Sequence, residues 1–236
     1  MHKKLTALIL LTSLLLTGCG SSAEDGKSMA QNDTEIELTT DYITEDVLIT
    51  NYDDALLRLK NGNSRFVNDQ SELINVTSER RNQLLDGQKP YAVIVSCSDS
   101  RVTPTTVFDA GLGEIFDIRI AGNVVDSDAL GSIEYAVEHL HSPLIVVMGH
   151  EKCGAVTAAY DKVKNGTAVE GNLNSIVDKI QPHITDADSL DEAVHENTDA
   201  VQEQIEADEI VKNLIDEGKL KVVKAHYSLD GNVTFY

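Results

Sequence analysis

Two short apolar runs, each cut off by a residue with a metal-binding side chain, constrain the fold of this chain most. Tyr91-Ala-Val-Ile-Val-Ser-Cys97 ends on a thiol. Leu144-Ile-Val-Val-Met-Gly149 is followed at once by His150 and, three residues on, by Cys153. Short β-branched runs without polar alternation have the pattern of strands buried on both faces, as in a parallel sheet. In open α/β sheets, ligands bind beyond the carboxyl ends of the strands. The two runs are therefore expected to deliver Cys97, His150 and Cys153 to one edge of one sheet.

The rest of the chain alternates helix and strand patterns, which predicts βαβ units and an α/β fold. Ala55, Leu56 and Leu59 recur at helical spacing and predict an amphipathic helix over 53–60, with Asn61-Gly62-Asn63 as its stop. A second helix is expected over 71–85, ending at Asp86-Gly87. Pro104 opens a short helical segment, 114–120 reads as a strand, and 128–141 as a helix carrying Ile133, Ala136, Val137 and Leu140 on one face. An alanine-rich helix follows from residue 154. Residues 171–218 read as acidic helices interrupted at Pro182. The segments 220–226 and 233–236 flank Asp230-Gly231, a hairpin signal.

Acidic residues outnumber Lys and Arg by 39 to 19, giving a formal charge of −20. Such a surface repels phosphate backbones, and the absence of Trp removes the best stacking platform, so no nucleic-acid partner is expected. Three cysteines are too few for a disulfide scaffold. One of them, Cys19, has its own explanation. Lys3 and Lys4 precede an apolar run over 5–16, too short to span a bilayer as a helix but organised like a secretory signal. The end of that run, Leu16-Thr-Gly-Cys19, resembles the lipobox of bacterial lipoproteins. The reading is a signal peptide over 1–18, a lipidated acidic tether over 19–50 with Cys19 as the lipid attachment, and one folded domain over 51–236. That places the protein outside the cytoplasm, anchored to a bacterial membrane through N-terminal lipid only.

The thiols and imidazole admit more than one chemistry. Zinc takes thiolate and imidazole in tetrahedral sites, and three protein ligands leave the open position that a catalytic site needs. Cys97, His150 and Cys153 supply such a set, Asp99 is placed to fill or guard the fourth corner, and Arg101 is in reach of Asp99 for a charge-assisted pair. The same two cysteines could form a disulfide, and a lone Cys on a strand is commonly a small buried hydrophobe. Spacing does not decide between zinc and disulfide.

Further motifs carry a family resemblance that favours zinc. Cys97-Ser-Asp-Ser-Arg101 followed by His150-Glu-Lys-Cys153-Gly154 resembles the β-class carbonic anhydrase family. Gly62-Asn63 with Arg65-Phe66, Phe108-Asp-Ala-Gly-Leu-Gly113, Arg119 with Ala121-Gly-Asn123, Ile133-Glu-Tyr-Ala136 and Tyr227-Ser-Leu-Asp-Gly231 fall in family order. The resemblance implies a Rossmann-like fold with a four-stranded parallel core sheet, an antiparallel edge strand, flanking helices and an N-terminal helical arm. It implies one Zn2+ per subunit on Cys97, His150 and Cys153, and a homodimer or tetramer. Thr103 and Asp117 depart from residues common in the family at those positions.

The implied function is zinc-dependent reversible hydration of CO2 to bicarbonate and a proton by hydroxide held on the metal. Asp99 would orient that hydroxide and Arg101 would keep Asp99 ionised; in a closed state Asp99 becomes a fourth ligand. Gln88, Phe116, Ala121, Tyr135 and Gly154 match substrate-binding positions, with Gln88 expected in the partner subunit's site. Hydrolysis of COS or CS2 on the same site, and an inactive zinc- or bicarbonate-binding lipoprotein, are the alternatives. His139, His141, His183, His195 and His226 have no ligating neighbours in sequence and read as surface or capping residues. The acidic tract 186–209 reads as a solvated helix face.

Overall fold

The computed structural model describes residues 48–71 and 75–236; Cys19, the expected signal peptide and the expected tether up to residue 47 lie outside the described residues. The centre is a five-stranded sheet in the order β2-β1-β3-β4-β5. Its strands are β1 (Ala92–Ser96), β2 (Ile115–Arg119), β3 (Leu144–His150), β4 (Lys221–Tyr227) and β5 (Val233–Phe235). The first four are parallel, and β5 pairs antiparallel with β4 through the predicted hairpin. Every residue of β1 and β3 is buried. Both faces of these strands are covered, so they read as continuous apolar runs.

Side-chain alternation sorts the strands into two cores. Ile94, Val146 and Val223 stand in register and face one layer with Ala55, Leu59, Val107 and Phe108. Val93, Ile145 and Val222 face the other, with Ala129, Ile133, Val201, Ile205 and Val211. The first layer is built by α1 (Tyr52–Val67), after which come α2 (Ser78–Gln83) and the short α3 (Pro104–Val107). The second layer is built by α4 (Ser127–Glu134) and, after α5 (Gly154–Asn165) and α6 (Leu173–Ile180), by α7 (Leu190–Glu206) and α8 (Glu209–Asp216). The acidic tract is the outer face of α7, whose inner face buries Ala193, Val194, Asn197, Thr198, Val201 and Ile205.

The strand order creates a crevice. From β1 the chain crosses to β2 on one side; from β2 it returns past β1 to β3, and from β3 it leaves in the opposite direction towards β4. The connections after β1 and β3 therefore diverge, which opens a gap beyond their carboxyl ends. Cys97 follows β1, His150 ends β3, and Cys153 precedes α5.

Helix α1 does not stop at Asn61-Gly62-Asn63 but continues to Val67. The glycine serves packing. A Cβ at position 62 would lie 1.9 Å from the Phe108 carbonyl oxygen. Asn63 is buried and donates to the carbonyls of Val107 (3.1 Å) and Gly231 (2.8 Å) while accepting from Val233 N–H (3.0 Å). The pair thus lets α1 seat on the α3 turn and ties it to the closing hairpin. The helix expected over 71–85 is shorter: Thr77 caps α2 by accepting from Arg80 N–H. The helix expected over 128–141 gives way after Glu134 to a wider π turn over Tyr135–His139.

Gly62→Ala should cost about 3 kcal/mol, because the neighbour is backbone and has no rotamer to yield. Denaturant unfolding should show a lowered midpoint at unchanged slope; a wild-type midpoint would mean that the close approach relaxes freely.

Candidate metal centre

The three predicted ligands meet. Among the described residues, Cys97, His150 and Cys153 form a fully buried group whose ligand atoms all lie within 4.8 Å of one another. Both cysteines are free thiols, and their sulfurs are 3.9 Å apart. Two Zn–S bonds of about 2.3 Å at a tetrahedral angle separate the sulfurs by about 3.8 Å. His150 Nδ1 lies 2.9 Å from the Glu151 carbonyl. A carbonyl only accepts, so Nδ1 carries the proton and Nε2 presents its lone pair. Among the described residues Nε2 is buried without a hydrogen-bond partner. A buried acceptor facing two sulfurs at metal-spanning distance fits a borderline-soft cation.

Local backbone geometry aims these groups. Lys152 adopts φ 55°, so the chain turns sharply between His150 and Cys153 and returns the thiol to the strand end. Gly122 adopts φ 71° and donates its N–H to Cys97 Sγ at 3.3 Å. Asn197 of α7 holds that turn by donating to the Gly122 carbonyl at 2.9 Å. The Cys153 thiol, with the neighbouring His150 ring and the Gly122 N–H, lowers Cys97, while Cys97 and burial push Cys153 upward.

Asp99 and Arg101 form the polar rim. The Arg101 side chain donates from Nε to Oδ1 (2.9 Å) and from Nη2 to Oδ2 (2.7 Å), and its backbone N–H donates to Oδ1 at 2.9 Å. Arg101 thereby holds the Asp99 carboxyl well below the usual carboxylate range. Both oxygens of the Asp99 carboxylate are thus engaged by Arg101. Sequence reasoning missed what Arg119 does. Its guanidinium donates to the Cys97 carbonyl (3.2 Å) and the Asp99 carbonyl (2.7 Å), fixing the loop between ligand and carboxylate. The available signal was a charged residue inside a largely apolar strand.

The pocket residues divide. Ala121 packs with Cys97 and Cys153, and Gly154 follows Cys153 directly. Phe116 instead pairs in register with Val93, four residues before Cys97. At about 3.3 Å per residue that is roughly 13 Å along the strand. Tyr135, ring centroid 6.3 Å from Phe116, is half exposed. Gln88 precedes β1 at the opposite end from Cys97, in an open cleft with Arg58, Arg80, Lys89, Tyr91 and Glu114. The register of β2 sets Phe116, and with it Tyr135, upstream of the strand ends that carry the ligand residues of the same chain. Asp117 is exposed on β2, an edge strand where a charge discourages unwanted pairing.

Comparison with known proteins agrees with this geometry. Residues 92–233 match the family model described as carbonic anhydrase. Carbonic anhydrase 2 of Mycobacterium tuberculosis is 40% identical over 181 residues, covering 73% of this chain and 86% of the relative. The carbonic anhydrase of Mycolicibacterium smegmatis is 40% identical over 182 residues, covering 74% and 88%. Among solved structures, the Coccomyxa β-carbonic anhydrase has a TM-score of 0.60 at 26% identity, covering 74% of this chain and 82% of that one. The β-carbonic anhydrase CcaA has a TM-score of 0.60 at 25% identity, covering 78% and 88%. The chain belongs to the β-carbonic anhydrase family.

The Arg101 contacts make a pH prediction. Asp99 is depressed in the folded state, so what the pair contributes to stability is present at neutral pH and lost as pH falls below about 4. Arg101→Met should let the carboxyl titrate near its ordinary value of about 3.9. Carbon-detected NMR of the Asp99 carboxyl measures this, and an unchanged low midpoint in the variant would point to another cause.

Proposed function

We propose that this carbonic anhydrase interconverts CO2 and bicarbonate at the crevice between β1 and β3, with zinc on Cys97, His150 and Cys153. The observation that carries the assignment is the buried Nε2 of His150, unpartnered beside two sulfurs 3.9 Å apart. Zinc held there would supply Lewis acidity that lowers the pKa of water from about 15.7 towards about 7, so that hydroxide is available near neutral pH.

The chain's own residues supply the rest. Asp99, kept ionised by Arg101, is a hydrogen-bond acceptor at neutral pH and orients a donor that approaches the ligand group. Arg119 keeps the Asp99 backbone in place while the side chain works. Ala121 gives the crevice an apolar wall suited to an uncharged linear molecule. The bicarbonate product carries charge and is poorly held by such a wall, which favours its exchange with water.

Gln88, Phe116 and Tyr135 act in a neighbouring copy's site on this reading. The length of β1 separates Gln88 from the ligands of its own chain. The cleft that holds Gln88 mixes charged residues with Leu48, Ile49 and Leu84, and Leu48 is 56% exposed. A homo-oligomer that covers this face would bury them.

The apolar run over 5–16 ending at Cys19 supports a further reading, a lipid anchor outside the cytoplasm. Among the described residues no helix is long and apolar enough to cross a membrane. Cys19→Ser should abolish labelling by a fatty-acid probe and move the protein out of the membrane fraction; continued labelling would contradict the anchor.

Stopped-flow CO2 hydration on protein of measured zinc content tests the activity, which a chelator should remove and added zinc restore. Asp99→Asn should keep its zinc and lose about 100-fold or more in turnover. Cys153→Ala should lose the metal itself. Gln88→Ala and Cys153→Ala, unfolded together and refolded, should regain activity that neither shows alone; a mixture as inactive as its parts would put Gln88 back in its own chain.

A further inference from the structure

The fold assembles a second group of ligating side chains apart from the catalytic set. Asp191 and His195 lie four residues apart in the first turns of α7, hence on one face of the helix. His226 comes from β4, against which α7 packs. The His195 and His226 rings are stacked, with centroids 4.8 Å apart and planes 17° from parallel. Ligand atoms of Asp191, His195 and His226 all lie within 4.8 Å of one another. His195 has only Asp191 beside it in sequence and His226 comes from a distant strand, so spacing alone does not mark the group.

We propose that Asp191, His195 and His226 form a second divalent-cation site, selective for zinc and similar borderline metals. Four observations support it. First, the donor set is two imidazoles and one carboxylate, a combination that suits zinc and late first-row metals rather than magnesium or calcium. Second, His226 Nδ1 is buried without a hydrogen-bond partner. Third, Tyr236 Oη lies 2.8 Å from His195 Nδ1, which engages that nitrogen and leaves Nε2 as the ring's remaining ligating atom. Fourth, the surroundings attract cations. Glu192, Asp186 and Asp199 add to burial in raising Glu196, against the single opposing charge of Lys164. The nearby Lys224 is paired to Asp199 at 2.6 Å and covers the Tyr236 ring, so its charge is largely offset.

Occupation of this site would link α7 to β4. That matters because α7 also carries Asn197, which holds the Gly122 turn behind Cys97. His226 stands in register with Gly149, one position before the ligand His150. A cation here acts as a structural clamp beside the catalytic crevice. Two parallel rings at this separation must swing together on binding, and their partly exposed positions on a helix and near a sheet edge allow it.

The test uses the full chain, titrated with zinc and separately with cobalt in the presence of millimolar magnesium. Wild type should bind two zinc ions per chain at micromolar free metal, and zinc beyond the first equivalent should raise its melting temperature. His195→Ala and Asp191→Asn should bind one, lose that second thermal shift, and keep wild-type CO2 hydration. With cobalt, one equivalent should bring sulfur-to-metal charge-transfer absorption and the other none. Cys153→Ala should lose the sulfur band and retain one ion. The proposal is overturned by wild type holding a single ion with a sulfur band, or by His195→Ala still holding two.

Discussion

The structure depends on burying two sulfurs and one imidazole where two adjacent parallel strands end. Polar groups taken out of water must find partners. Here the partners are supplied by loops rather than by the sheet: Gly122 N–H for one sulfur, the Glu151 carbonyl for the outer imidazole nitrogen. Among the described residues the inner imidazole nitrogen has none. That unmet acceptor, beside two sulfurs, gives the centre its chemistry.

The fold makes this arrangement affordable in conformational terms. β1 and β3 are buried on both faces, so their positions are set by side-chain packing over their whole lengths. Side chains at their ends inherit that precision. The divergence of the chain after β1 and β3 opens the crevice without a cavity having to be carved from the core. Arg119, Asn197 and the left-handed turns at Gly122 and Lys152 then refine the aim of each ligand.

Much of this was legible in the sequence, for identifiable reasons. The β-branched runs announced buried strands because no polar alternation interrupted them. Cys97, His150 and Cys153 were visible because each follows such a run closely. Asn61-Gly62-Asn63 misled because breaker residues carry the same letters whether they end a helix or admit a neighbouring backbone; only the Phe108 carbonyl distinguishes the two. Phe116 and Tyr135 were placed by motif, while their distance from the ligands depends on sheet register, which a motif does not encode. The Asp191, His195 and His226 group depends on α7 lying against β4, a tertiary fact with no local signature.

The central claim is a sulfur-rich zinc centre built by the ends of β1 and β3. X-ray absorption on wild-type protein carrying one equivalent of zinc addresses it most directly. The account predicts two sulfur neighbours at about 2.3 Å and nitrogen or oxygen neighbours at about 2.0 Å. A first shell without sulfur, or protein whose Cys97 and Cys153 are found joined as a disulfide in its active form, would contradict it.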